Sequence, residues 1–216
     1  SDGFTLDNGT LSNLYVNAAG VTYAGWGWEA NGSGSSNEDG SINTTATSAN
    51  TTAGFSISTY TGNGTAGATV GHGLGVVPKM ILIKSRDSAE GWYVYHEATG
   101  NTKVTILNTT SAAVSDGAWN NTTPTSSVFT LGTSNPVNRN ADDFVAYCFA
   151  EILGYSSIGS YTGNGSTDGP FVYTGFRPSF VLCKNIINAG NDWPIDDAAR
   201  SPFNPDKARL WADLST

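Results

Sequence analysis

The chain has 216 residues, a net charge of −8 and a pI near 4.5, and only 13% of it is charged, against about 25% in an average globular protein. Its few Lys and Arg form no cluster, and no uninterrupted apolar run approaches bilayer-spanning length, so neither nucleic acid nor membrane insertion is expected. Apolar residues at 38% still suffice for packed cores, which excludes a disordered chain.

From the N-terminus, Tyr23-Ala24-Gly25-Trp26-Gly27-Trp28-Glu29 places Trp26 and Trp28 on one face of a strand, and since their counterparts Tyr147 and Phe149 are also aromatic they are expected as a structural layer rather than a sugar platform. The stretch from Asn31 to Ala53 is rich in Asn, Gly, Ser and Thr and is expected to be a loop or linker. Within it, Asn37-Glu38-Asp39-Gly40-Ser41 offers oxygen ligands near a turn but lacks the spacing of a known calcium loop, which favours a solvated loop.

Phe55-Ser56-Ile57-Ser58-Thr59-Tyr60 alternates as a strand does, and Gly62-Asn63-Gly64 follows as its turn. His72, in Gly71-His72-Gly73-Leu74-Gly75, is expected in a β-turn, because no helix and no Lys-Ser/Thr follow to make a phosphate loop. Met80-Ile81-Leu82-Ile83, after Pro78, reads as a buried strand, and Trp92-Tyr93-Val94-Tyr95 as another. His96 stands beside Glu97, but no nucleophile elbow accompanies it. Val104-Thr105-Ile106-Leu107, Val128-Phe129-Thr130-Leu131 and Phe144-Val145-Ala146-Tyr147-Cys148-Phe149 are further strands. The polar loop 108–127 carries the candidate binding residues Trp119, Asn120 and Asn121; the competing reading folds Trp119 back onto its own domain.

Phe180-Val181-Leu182 repeats the buried-strand pattern, and Asp196-Asp197-Ala198-Ala199-Arg200 is expected as a short helix ended by Pro202 and Pro205. The doublets Glu38-Asp39, Asp142-Asp143 and Asp196-Asp197 do not make glycosidase pairs, since neighbours on a strand point to opposite faces. Cys148 and Cys183 lie in apolar runs and are expected as free thiols. Asn-x-Ser/Thr triplets such as Asn8-Gly9-Thr10 and Asn164-Gly165-Ser166 follow from composition and do not argue for glycosylation.

Two stretches are built alike. Tyr60-Thr61-Gly62-Asn63-Gly64 and Tyr161-Thr162-Gly163-Asn164-Gly165 stand 101 residues apart, as do Trp92 and Trp193. Val77-Pro78-Lys79-Met80-Ile81-Leu82-Ile83-Lys84 answers to Arg177-Pro178-Ser179-Phe180-Val181-Leu182-Cys183-Lys184. The other half of the unit also recurs, Phe4-Thr5-Leu6 with Phe129-Thr130-Leu131 and Tyr23 to Glu29 with Phe144 to Ala150. The expected organisation is 1–52 as the second half of a copy plus a linker, 53–153 as a complete sandwich, and 154–216 as the first half of a further copy. The terminal halves are expected either to complete one another, within or between chains, or to belong to a longer polypeptide. Short strands and turns throughout give an all-β fold of tandem, jelly-roll-like β-sandwich domains.

Asp2-Gly3-Phe4-Thr5-Leu6, Thr22 to Trp28, Tyr161 to Ser166 with Gly175 to Val181, and Asp196 to Pro205 resemble a repeat of virion structural proteins of tailed bacteriophages, marine and cyanobacterial ones especially. The resemblance implies lectin-like β-sandwiches in a tail fibre or capsid decoration, located on the extracellular particle. It implies no catalytic set and no cofactor. Expected partners are other copies of the chain in a homo-oligomer, other virion proteins and a host-surface glycan. A carbohydrate-binding lectin module or a cellular adhesin is the alternative.

Overall fold

The computed structural model describes Leu6, Asn17 and residues 19–202 and 208–214. Phe4, Thr5, the Asn8-Gly9-Thr10 triplet and the segment Phe203-Asn204-Pro205 lie outside the described residues. The fold is all-β. Seven strands form one antiparallel sheet: β1 (Ala46–Asn50), β2 (Phe55–Thr61), β4 (Met80–Ser85), β5 (Tyr93–His96), β6 (Lys103–Ile106), β7 (Val114–Ser115) and β9 (Asp143–Phe149), in the order β1-β2-β9-β4-β5-β6-β7. β3 (Ala68–Gly71) and β8 (Val128–Leu131) form a two-stranded sheet, and β10 (Phe180–Leu182), β11 (Pro194–Asp197) and β12 (Leu210–Trp211) a three-stranded one.

The core lies between β3–β8 and one face of the seven-stranded sheet. Val70, Phe129 and Leu131 from the small sheet meet Tyr60, Ile81, Ile83, Tyr95, Val104, Phe144, Ala146 and Cys148 from the large one. Tyr60 stacks on Phe144 with centroids 5.3 Å apart, meets Phe129 edge-on at 6.2 Å, and donates its hydroxyl to the Val137 carbonyl at 2.7 Å. A phenol buried this deeply requires such an acceptor. In β2 it is Ser56 and Ser58, not Ile57, that face inward with Tyr60. The backbone of β3 comes close enough there for Ser58 to donate to the Gly71 carbonyl at 3.0 Å, which leaves no room for a larger side chain.

The stretch expected as a linker is ordered instead. β1 pairs along its whole length with β2 from Phe55 to Thr59, and Thr47 Oγ1 lies 2.9 Å from Ser58 Oγ. Its Ser and Thr side chains satisfy backbone groups, so a polar sequence serves as an edge strand: Asn31 N–H donates to Ser48 Oγ at 2.7 Å and Ser35 bridges to Thr47. The expected helix at Asp196–Arg200 is also absent. Asp196 and Asp197 end β11 opposite Val181 and Phe180, and a turn follows; cross-strand pairing has overridden a short helical propensity.

The turn after β2 explains its Gly-Asn-Gly. A Cβ on Gly62 would lie 2.4 Å from the Arg139 carbonyl oxygen, and Gly64 has φ +66°. Asn63 Oδ1 accepts from Thr65 N–H at 2.9 Å. The turn is then latched by Asn138, fully buried at the end of the single helical turn α1 (Asn135–Asn138). Asn138 Oδ1 accepts from Asn63 N–H at 2.9 Å and Gly64 N–H at 3.3 Å, while its Nδ2 donates to the carbonyls of Gly132 at 2.8 Å and Thr65 at 3.1 Å. Replacing Asn138 by Ala strands these groups, and a loss of roughly 2–4 kcal/mol is expected from buried polar atoms left unpaired. Denaturant unfolding with an unchanged m-value checks it; a change under about 0.5 kcal/mol contradicts the latch.

Candidate binding surface

The loop proposed for binding folds differently from an exposed platform. Trp119 is 1% exposed: it meets Tyr95 edge-on at 5.7 Å and donates its indole N–H to the Lys103 carbonyl at 2.9 Å. Trp119 is thus a core residue, as in the folded-back alternative, and presents no contact surface. Its polar neighbours hid this, because they are the turn that brings it in. Asn120 and Asn121 adopt φ of +49° and +51°, a conformation Asn tolerates, and remain exposed.

The other singled-out residues also have structural partners. His72 is buried; its Nδ1 accepts from Leu74 N–H at 3.2 Å and its Nε2 donates to the Thr125 carbonyl at 3.1 Å. Burial lowers its pKa, in keeping with a neutral ring. His96 Nδ1 accepts from Ala98 N–H at 3.0 Å and caps the turn Glu97–Thr99. Asp142 takes Ser88 Oγ–H at 2.5 Å, whereas Asp143 takes Thr61 Oγ1–H at 2.8 Å, so that doublet does diverge. Asp39 N–H donates to Asn37 Oδ1 at 3.0 Å, a turn closed on itself. Among the described residues no group of three His, Cys, Asp or Glu is placed to hold a metal. Both cysteines are free; burial pushes the Cys148 thiol up to about 12, and burial also raises Cys183.

An exposed aromatic group forms elsewhere, at the junction of the large sheet with β10. Trp28 sits edge-on between Phe149 at 6.1 Å and Phe180 at 5.5 Å, and Trp26 meets Phe180 at 5.7 Å. Tyr23, Trp26, Ser179, Ala198 and Arg200 line an open cleft of about 670 Å³. The cleft arises from small residues. Where the complete unit has Lys79 bridging Glu97 at 3.2 Å and Glu151 at 2.6 Å, the later unit has Ser179 and Ala198. Arg200 lies 5.9 Å from the Trp26 ring but is tied by its Nε to Asp197 at 2.5 Å and by its other nitrogens to the Ala208 and Ile195 carbonyls. Hydrogen bonds from the Arg200 backbone and side chain hold the Asp197 carboxyl below its ordinary pKa. The guanidinium therefore stiffens the cleft and lies over the ring of Trp26, which is 37% exposed beside Tyr23 at 41%. The sequence signal for it was the exchange of Lys79 and Glu97 for Ser179 and Ala198.

Because Trp119 is a core residue, Trp119→Ala is expected to cost about 3–5 kcal/mol, read as a lowered unfolding midpoint; an exposed contact residue would change it by under about 0.5 kcal/mol. No curated protein and no solved structure matches the chain. A family model does match, over residues 1–216, and on that match the chain belongs to the family described as domain of unknown function DUF7483.

Proposed function

We propose that this chain is a non-enzymatic building module of a virion surface, a tail fibre or capsid decoration made of tandem, jelly-roll-like β-sandwiches that act in assembly and host-surface attachment. One observation carries the reading: β10-β11-β12 repeat the pairing register of β4-β5-β6. Phe180, Val181 and Leu182 pair with Asp197, Asp196 and Ile195 as Met80, Ile81 and Leu82 pair with His96, Tyr95 and Val94. Ala212 N–H donates to the Trp193 carbonyl as Leu107 N–H does to that of Trp92, both at 3.0 Å. Trp193 N–H donates to Asp213 Oδ1 at 2.9 Å, and Trp92 N–H to Asn108 Oδ1 at 3.0 Å. Asp197 even caps the turn after β11 as His96 caps the turn after β5. A sequence that changes nearly every side chain and keeps this hydrogen-bond plan is preserving shape, which is what a repeated scaffold needs. The placement on a virion rests on the resemblance of the repeat motifs.

Function would then follow from presentation. Polar Asn, Thr and Gly loops are held outward on stiff sheets, and many weak contacts are multiplied by copy number. The cleft at Trp26 favours a second reading, a carbohydrate-binding lectin module, because an exposed indole backed by a tied Arg200 is a stacking surface for a sugar ring. Immunogold labelling of purified particles with an antibody to this chain tests the main proposal. Label on the particle surface is expected, and particles free of the chain by both labelling and mass spectrometry would refute it.

A further inference from the structure

The two units differ on one edge. In the complete unit β9 lies against β4, pairing Met80 with Phe149, Leu82 with Tyr147, Ile83 with Ala146 and Lys84 with Val145. In the later unit β10 pairs only with β11, and among the described residues no strand lies on its other side. Cys183 N–H donates to the Pro194 carbonyl and Ala198 N–H to the Ser179 carbonyl. By strand alternation the backbone groups of Phe180 and Leu182 therefore face outward. Exposure marks the same gap: Val181 is 38% exposed where Ile81 is fully buried, and Tyr161 is 57% exposed where Tyr60 is 1%.

The strand type that would fill the gap is in the chain. Tyr23 to Glu29 stands where Phe144 to Ala150 stands in the complete unit, 121 residues earlier, yet residues 21–31 form no strand. Within one molecule this segment is led away from the edge. Residues 29–35 are tied along β1, through Asn50 Nδ2 donating to the Glu29 carbonyl at 3.3 Å, Asn31 N–H to Ser48 Oγ and the Ser35–Thr47 bridge. Trp28 is thereby held at the beginning of β10, and the residues before it run past that end, where Tyr23 and Gly25 line the cleft with Ser179 and Arg200. The register of β9 would require Ala24 at the far end, opposite Lys184.

We propose that the open edge of β10 is filled by the Tyr23–Trp28 segment of a second copy of this chain, added as a strand in the register that β9 takes on β4. The inference rests on the repeat reading above and names its partner. An exposed edge is a template for strand addition, and a segment bearing the β9 pattern is its matched occupant. Charge agrees: in this register Glu29 arrives opposite Ser179, beside exposed Arg177. Because each copy carries both a donor strand and an acceptor edge, reciprocal exchange closes a dimer, and one-way donation gives a chain of copies.

The register specifies a crosslink. Gly25 falls opposite Cys183, as Ala146 does opposite Ile83, a spacing that a disulfide spans. Gly25→Cys, oxidised, is expected to give covalent dimers or longer ladders on non-reducing gels, all lost when Cys183→Ser is added. A second pair, Gly27→Cys with Val181→Cys in the Cys183→Ser background, copies the pairing of Cys148 with Ile81 and serves if the first variant fails to fold. A one-chain product two hydrogens lighter would show that the molecule's own segment fills the edge, and thiols left free in both variants would show that it takes no such strand; either overturns the proposal. Neither result bears on whether the chain is found on particles, so the two ideas fail separately.

Discussion

The large sheet depends on β9. All seven of its residues pair with β2 on one side and six pair with β4 on the other, and Phe144, Ala146 and Cys148 complete the core face between them. These partners lie some 60 to 90 residues away in the chain, so the ladder can form only after a large loop has closed. Once formed, it joins the β1–β2 hairpin to β4-β5-β6, which otherwise share no hydrogen bonds between adjacent strands. α1 and its Asn138 latch lie just before β9 in sequence and tie the turn after β2 to the same element. The single insertion of one strand thus accounts for the continuity of the sheet and for the closure of the core.

The later unit shows what forms where, among the described residues, no such strand is paired. Its three strands reproduce the hydrogen-bond plan of β4-β5-β6, and its turn reproduces the local chemistry of the earlier one: Asn164 Oδ1 accepts from Ser166 N–H at 3.0 Å, and Gly165 has φ +69°. Among the described residues this turn has no counterpart of the Arg139 and Asn138 contacts of the earlier one. A Cβ on Gly163 would meet nothing within 4 Å, where one on Gly62 would collide with backbone. Local sequence therefore suffices for turns and hairpins, while burial of the shared face requires the β9 equivalent. Trp193 shows how the unit is nevertheless anchored: it is 5% exposed and donates its indole N–H to the Ile106 carbonyl of the complete unit at 3.2 Å.

Much of this was legible in the sequence where period, turn residues and repetition agreed. The strands around Phe55, Met80, Phe129, Phe144 and Phe180 follow from apolar runs ended by Gly, Pro or Asn. The matched tryptophans follow from spacing alone. β1 was not legible, because Ala-Thr-Ser-Ala-Asn has no apolar alternation and its Ser and Thr side chains are held by hydrogen bonds to β2 and to the preceding loop, which the sequence does not announce. Asp196–Arg200 misled for the opposite reason, as good helix chemistry is overruled by pairing with β10. The candidate site divides likewise. Trp119 carried surface neighbours and a buried destiny, whereas the cleft at Trp26 depends on a comparison between units, with Ser179 and Ala198 standing where bulkier charged residues close the earlier one.

The two units share one pairing plan, and among the described residues they differ in one neighbour, the strand that lies beside β4 and has no counterpart beside β10. Hydrogen exchange at equivalent amides, followed as a function of protein concentration, addresses this most directly. The account predicts that Met80, Leu82 and Lys84 are protected at every concentration, while Phe180, Leu182 and Lys184 exchange quickly in dilute solution and slow down as copies associate. Equal and concentration-independent protection at both sets of positions would contradict it.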